Sequence, residues 1–220
     1  MITLPDFTKM FDYENGFYLS CDTTRIGKLL AQYELYKMAR DIPGTIVECG
    51  VLKGCSLVRF AAFRALFGNP SSKKIIGFDT FGDFPETNFE ADKKLRLRHM
   101  EVCGPQSISR EQLLEVLKYK GVDQNIELIE GDITETLPRY LNDHAELKIS
   151  LLNLDVDIYE PSKVVLEHLF PRIVKGGILM LDDYSVFPGE TKAVDEYFAK
   201  KNIKIHKIPF CITPSYIIKE

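Results

Sequence analysis

Leu151-Leu152-Asn153-Leu154-Asp155-Val156-Asp157-Ile158-Tyr159-Glu160-Pro161 and, further on, Ile178-Leu179-Met180-Leu181-Asp182-Asp183-Tyr184 decide how this chain folds. Each is a short apolar run that ends in paired carboxylates. A bounded run of this length reads as a buried strand. In an open parallel sheet, ligands bind beyond the carboxyl ends of the strands. Several acids arriving at that edge repel one another unless a cation sits among them. The two stretches therefore predict a metal site at a ligand-binding edge.

Working outward, strand-like and helix-like segments alternate almost to the end of the chain, the pattern of an α/β fold with a largely parallel sheet. Further strands are expected over 45–49, 74–79 and 126–130, with 148–155 and a run from Gly176-Gly177 to Asp182 as the two acid-ended ones. Helices are expected from Asp22 or Thr23 to about 40, and over 56–67, 134–141, 161–174 and 191–201. Ser109 and Gln112 have capping-box spacing and open another helix to Lys120. Residues 203–208 and 216–218 look like a closing antiparallel hairpin. The chain reads as one domain, 1–220, with 1–42 as an N-terminal helical segment that could serve as a lid. Residues 80–106 are the least regular part, around a charged helical piece from Glu90 to Glu101. Such an insertion beside a binding edge is either a lid or substrate wall, or a solvated excursion.

Composition narrows the function. At 220 residues with a net charge of -4, the chain can bury a core but carries no basic excess for nucleic acid. No apolar run is long enough to cross a bilayer. The first residues lack the basic start and apolar stretch of a signal peptide. The five cysteines are scattered, without zinc spacing, which fits a reduced cytoplasmic protein.

The loop Glu48-Cys49-Gly50-Val51-Leu52-Lys53-Gly54-Cys55-Ser56 joins the first strand to a helix. It is neither a Walker A loop nor a G-x-G-x-x-G fingerprint. Its glycines allow close approach to a ligand, and the helix start offers free N–H groups. Glu48 suits a ligand with an ammonium group and would repel a pyrophosphate. The alternative is a tight turn that needs glycine for packing alone. Asp79 could accept both hydroxyls of a ribose, or cap a surface turn. Asp132 could accept from an adenine amino group, or simply cap the helix that starts there. Acids and glycines at successive strand ends look like a site for S-adenosylmethionine. The candidate cofactor set is Glu48, Gly50, Gly54, Ser56, Asp79, Thr80, Phe81 and Asp132, with Arg25 for the cofactor carboxylate.

With these segments in view, the chain resembles the macrocin O-methyltransferase family, which includes mycinamicin and aminocoumarin sugar O-methyltransferases. The resemblance rests on Pro43 to Val51, Gly77-Phe78-Asp79-Thr80-Phe81, Gly131-Asp132 to Pro138, Leu154 to Glu160, and Gly176-Gly177 to Tyr184. These run in order from about Arg25 to Phe198. The resemblance implies a Rossmann-like, seven-stranded fold that uses S-adenosylmethionine and a divalent ion, usually Mg2+. The acceptor it implies is a deoxysugar hydroxyl, and a homodimer is implied by it alone. By motif position, the metal ligands would be Asp155, Asp182 and Asp183. The chain departs from the family at Leu52-Lys53-Gly54-Cys55, where Trp-Arg-Gly-Gly is usual. Ser185 stands where some members carry an acid, so the base is open.

An all-oxygen ligand set suits magnesium, calcium or manganese better than zinc. An ion held there would lower the pKa of a sugar hydroxyl, and vicinal hydroxyls could chelate it. Asp182 and Asp183 converge only if the strand ends at them. Asp157 lies two residues beyond Asp155 and is a candidate base or supporting acid, grouped with Asp155 as catalytic. His99 and His144 lie in polar stretches where a histidine is more often structural or solvated. Tyr13, Phe17 and Tyr18 could wall an acceptor pocket. The competing functions are methylation of a catechol-like or other natural-product diol, and a non-catalytic S-adenosylmethionine-binding protein.

Overall fold

In a computed structural model, which describes residues 2–220, the chain passes through α1 (Met10–Ser20), α2 (Thr23–Ala39), β1 (Thr45–Cys49), α3 (Cys55–Phe67), β2 (Ile75–Asp79), α4 (Glu90–Cys103) and α5 (Arg110–Tyr119). It continues through β3 (Ile126–Glu130), α6 (Ile133–Asp143), β4 (Ile149–Leu154), α7 (Tyr159–Leu169), β5 (Ile173–Leu181), α8 (Pro188–Phe198), β6 (His206–Lys207) and β7 (Ser215–Ile218). Among the described residues one seven-stranded sheet forms in the order β3-β2-β1-β4-β5-β7-β6. β1 to β5 are parallel, and the closing hairpin places β7 antiparallel between β5 and β6. This is the expected α/β fold. The order reverses between β1 and β4, so a crevice opens at their carboxyl ends.

The two faces of the sheet follow from strand alternation. Val47, Cys49, Leu152, Leu154, Leu179 and Leu181 point into a core closed by α6, α7 and α8. Ile46, Leu151, Ile178 and Met180 point into a second core under α2, α3 and α5. Truncating one of the fully enclosed leucines, such as Leu152, costs about 2–5 kcal/mol. Glu48 and Asn153 share the second face and pair in register across β1 and β4. A carboxylate and an amide thus interrupt an otherwise apolar layer at the crevice end.

Three boundaries differ most from the sequence reading. The helix expected over 161–174 ends at Leu169, because Phe170–Arg172 form a 3-10 turn around Pro171, which has no N–H to donate. β5 then starts at Ile173, so Gly176-Gly177 lie inside the strand instead of before it. The pairing with β4 shifts register there, and a Cβ on Gly177 would press on the Ile173 side chain. The glycine pair makes a bulge. α8 begins earlier than expected, with Pro188 in its first turn. The Asp22 cap on α2 and the Ser109–Gln112 capping box on α5 both form. No helix among the described residues is long and apolar enough to cross a membrane.

Candidate active site

Three strand-end loops are laced together at the crevice. Gly50 follows β1 with φ +90, and a Cβ there would overlap the Asp155 carbonyl. The β1–α3 and β4–α7 loops therefore touch backbone to backbone. Asp79, at the end of β2, accepts from the N–H groups of Val51 (2.7 Å) and Leu52 (3.0 Å) through one oxygen, and from Phe81 (2.7 Å) through the other. Leu52 and Phe81 both adopt left-handed backbone conformations to reach it. Asp79 thus shapes the glycine loop as well as facing the crevice.

The acids meet beyond β4 and β5. β4 stops at Leu154, and Asp157 is turned inward by a left-handed conformation, φ +61, which aspartate adopts more readily than most residues other than glycine. The side chain enters through this turn and not through strand alternation. Asp155, Asp157 and Asp183 each bring an oxygen within 4.8 Å of the others. Asp182 is not in that trio, although the motif placed it among the metal ligands. It is 3 % exposed, and its Oδ2 takes the Lys28 ammonium at 2.6 Å. Its Oδ1 is enclosed with no partner among the described residues. Behind them, fully buried Glu190 accepts from the Asp183 N–H at 2.9 Å, and its other oxygen is also unpartnered.

Burial, and then the charge of the neighbouring acids, pushes the Asp155, Asp183 and Glu190 carboxyls well above the usual range. Asp157 is pushed up to about 7, by burial and then by the charge on Asp155. Burial alone would lower the Lys28 ammonium, but Asp182 and Asp155 more than reverse this and raise it. The cluster is short of positive charge, its donors are all oxygen, and Asp182 keeps an orphaned buried oxygen. This is the chemistry of a hard divalent cation.

The cluster lines a cavity of about 720 Å3, large enough for a cofactor and a sugar together. Of the expected cofactor residues, Arg25, Gly50, Ser56, Asp79, Thr80 and Asp132 also line it. Glu48, Gly54 and Phe81 do not. Glu48 is enclosed behind Ser56, with Ser56 and Asn153 donating to one oxygen, and burial raises its carboxyl to about 8. It braces the loop from beneath the cavity floor. Gly54 is the left-handed residue before α3 and packs on Leu113. The Phe81 ring is buried in the second core, and its backbone serves Asp79. Asp132 caps α6 by accepting from the Thr134 N–H, and faces the cavity from there.

The insertion over 80–106 supplies a wall: Thr80, Phe84, Pro85, Glu86, Asn88 and His99 face the cavity. No residue of α1 does, so Tyr13, Phe17 and Tyr18 lie away from it. Lys28 and Glu190, which the sequence reading passed over, belong to the site, and so does His99, which it set aside as more often structural or solvated. Lys28 reaches the acids from α2 and Glu190 from α8, while His99 lines the cavity from α4. Glu190 left one trace in the sequence, an acid in a first helical turn shortly after the strand-end pair. His144 is structural, its Nδ1 donating to the Tyr140 carbonyl and its ring stacked on that of Tyr140.

The family model for macrocin O-methyltransferase matches residues 23–210, every element that lines this cavity. The chain belongs to the macrocin O-methyltransferase family. It is similar to demethyldecarbamoylnovobiocin O-methyltransferase of Streptomyces niveus, 29% identical over 76% of this chain and 62% of that one. It is also similar to 8-demethyl-8-(2,3-dimethoxy-alpha-L-rhamnosyl)-tetracenomycin-C 4'-O-methyltransferase of Streptomyces olivaceus, 28% identical over 68% of this chain and 56% of that one. The chain thus spans less than two thirds of the length of these two curated relatives. Among solved structures, the calicheamicin methyltransferase CalS11 superposes with a TM-score of 0.77 at 31% identity, covering 98% of this chain and 86% of that one. The apo structure of CalS11 is described as that of a TDP-rhamnose 3'-O-methyltransferase. The macrocin O-methyltransferase family is S-adenosylmethionine-dependent.

Proposed function

We propose that this chain transfers a methyl group from S-adenosylmethionine to a hydroxyl of a deoxysugar, with a bound divalent ion, magnesium by preference. The observation that carries this reading is one cavity with two unlike walls. One is the Gly50 loop held by Asp79. The other is the acid group of Asp155, Asp157 and Asp183. Two of the relatives' descriptions add the acceptor class, one naming a rhamnosyl-tetracenomycin and the other TDP-rhamnose.

Asp155, Asp182 and Asp183 would hold the ion, and Asp79, Gly50, Ser56, Thr80, Asp132 and Arg25 would hold the cofactor. When bound, the cofactor supplies an electrophilic sulfonium methyl, and the ion supplies Lewis acidity toward the acceptor hydroxyl. The chain's own groups do the rest. Asp157, buried and raised to about 7, is suited to take the hydroxyl proton as the new C–O bond forms and the C–S bond breaks. Glu190 holds the Asp183 backbone and so fixes the carboxylate beside it.

Asp155→Ala tests the reading. S-adenosylhomocysteine should bind the variant by calorimetry as it binds the wild type, while turnover of TDP-rhamnose with magnesium is lost. Undiminished turnover would remove the acid cluster from the reaction. Absence of S-adenosylhomocysteine binding to the wild type would remove the methyltransferase reading itself.

A further inference from the structure

α4 is rich in charged residues, yet one of its faces is built into the protein through polar side chains. Asp92, Arg96 and His99 follow one another at helical spacing on that face. Asp92 is fully buried. Its two oxygens accept from the N–H groups of Tyr159 (2.9 Å) and Gly189 (2.7 Å). Those residues begin α7 and α8, directly after the segments that carry the acids, so α4 is fixed relative to the acid cluster. Arg96, 8 % exposed, clasps three consecutive loop residues. It donates to the carbonyls of Phe84 and Pro85 and to the Glu86 carboxylate. Its guanidinium also lies 5.8 Å from the Phe84 ring centre. One turn on, the His99 ring packs on that same phenylalanine, with centroids 5.3 Å apart.

This construction leaves His99 Nε2 enclosed, without a partner among the described residues, on a side chain that lines the cavity. A buried ring nitrogen left unpaired costs free energy unless a ligand satisfies it. Burial, followed by the charges of Lys28 and Lys53, lowers the His99 pKa, so the ring is neutral at pH 7 and can donate or accept. Phe84, half-buried beside it, offers an apolar face.

We propose that Phe84 and His99 form the acceptor-recognition subsite, Phe84 taking the apolar face of a pyranose ring and His99 Nε2 bonding a ring hydroxyl other than the one methylated. The subsite rests on the sugar-methylation reading and adds to it how the sugar is oriented. Its residues lie on a rigid wall, not on a mobile flap, because Asp92 and Arg96 pin both partners. His99 is a specificity residue here and has no part in bond making.

The test is calorimetric titration of TDP-rhamnose into the full chain saturated with S-adenosylhomocysteine and magnesium. Wild type is compared with His99→Phe, which keeps the ring contact but has no nitrogen, and His99→Gln, which keeps a polar group. His99→Phe should weaken the sugar nucleotide about tenfold, the loss of one well-made hydrogen bond with its partner stranded. His99→Gln should stay within about threefold of wild type, with S-adenosylhomocysteine affinity unchanged in both. Equal sugar affinity in wild type and His99→Phe would overturn the subsite alone. So would a parallel loss of S-adenosylhomocysteine affinity, which would make His99 a prop of the fold. Failure of the wild type to bind the sugar nucleotide would overturn the sugar reading and the subsite with it.

Discussion

The Lys28 ammonium sits 2.6 Å from Asp182 Oδ2 and ties the middle of α2 to the end of β5. It is the one ion pair that reaches the acid cluster among the described residues. A lysine here does in part what a divalent ion would do: it offsets the mutual repulsion of enclosed carboxylates. If Asp182 is a ligand of the proposed ion, Lys28 and the ion compete for it, since Lys28 already occupies its Oδ2.

Lys28→Met should therefore separate the metal-free and metal-bound states. Breaking a fully buried pair costs about 3–5 kcal/mol, and the partial exposure of Lys28 reduces this to about 2. In EDTA the variant should melt several degrees below wild type. With saturating magnesium the gap should close, and magnesium should bind the variant more tightly than wild type. Thermal melts with and without EDTA, together with magnesium calorimetry, read both effects. A variant that melts like wild type in EDTA would show the pair to be energetically idle.

The raised acids give the metal-free protein an unusual pH dependence. Asp157 titrates near 7 when folded, against about 3.9 for a free aspartate. Asp155, Asp183 and Glu190 move in the same direction. Between those limits the folded state binds more protons than the unfolded one, so stability falls as pH rises. The contribution is fully present below about pH 4 and is lost as pH climbs through about 7. Urea midpoints in EDTA should fall steadily from pH 5.5 to pH 8. Magnesium at 100 times its Kd should add about 2.7 kcal/mol at pH 8. Midpoints that stay level or rise with pH would contradict the burial of these groups as acids.

Gly50→Ala should be far more damaging than a glycine-to-alanine change on the surface. The position needs φ +90, and its Cβ would overlap the Asp155 carbonyl. Because the two loops are in backbone contact, one must move, and the carboxylate of Asp155 moves with it. The expected outcome is loss of S-adenosylhomocysteine binding and roughly 3 kcal/mol or more of stability. Binding retained at wild-type affinity would show that the loops can part without consequence.

The acid-ended apolar runs were readable because a strand that is apolar to its last residue marks where the sheet edge begins. Asp155, Asp182 and Asp183 follow from that, and Asp79 and Gly50 from the same logic on β1 and β2. What stayed hidden depends on contacts between elements distant in sequence. Lys28 lies on a helix whose polar residues look solvated, and only the docking of α2 over β5 aims it inward. His99 was set aside because its stretch of sequence is polar and reads as solvated. The inward face of α4 is made of Asp92, Arg96 and His99, which hydrophobic periodicity cannot register. Asp157 sits at the spacing that strand alternation would require, but it reaches the cluster through a left-handed turn. Glu48 carries the most suggestive motif position in the loop, yet strand parity sends it into the core beside Asn153 instead of into the cavity.

Asp157→Asn asks whether that left-handed turn exists to deliver a carboxylate. Asparagine adopts the left-handed region as readily as aspartate, so the substitution leaves the backbone in place and removes only the ionisable group. Alanine would not, since it would confound loss of the base with relaxation of the turn. If Asp157 takes the acceptor proton, Asp157→Asn should lower kcat for TDP-rhamnose by about 10²–10⁴ with little change in KM. S-adenosylhomocysteine affinity should stay within about twofold, because a group that acts only in the transition state adds nothing to ground-state binding. The pH profile of kcat/KM sharpens the test: the wild-type ascending limb belongs to the free enzyme's base, and the variant should lack it. A variant with wild-type kcat would move the base elsewhere, and Asp157 would then be a supporting charge for the ion-binding acids beside it.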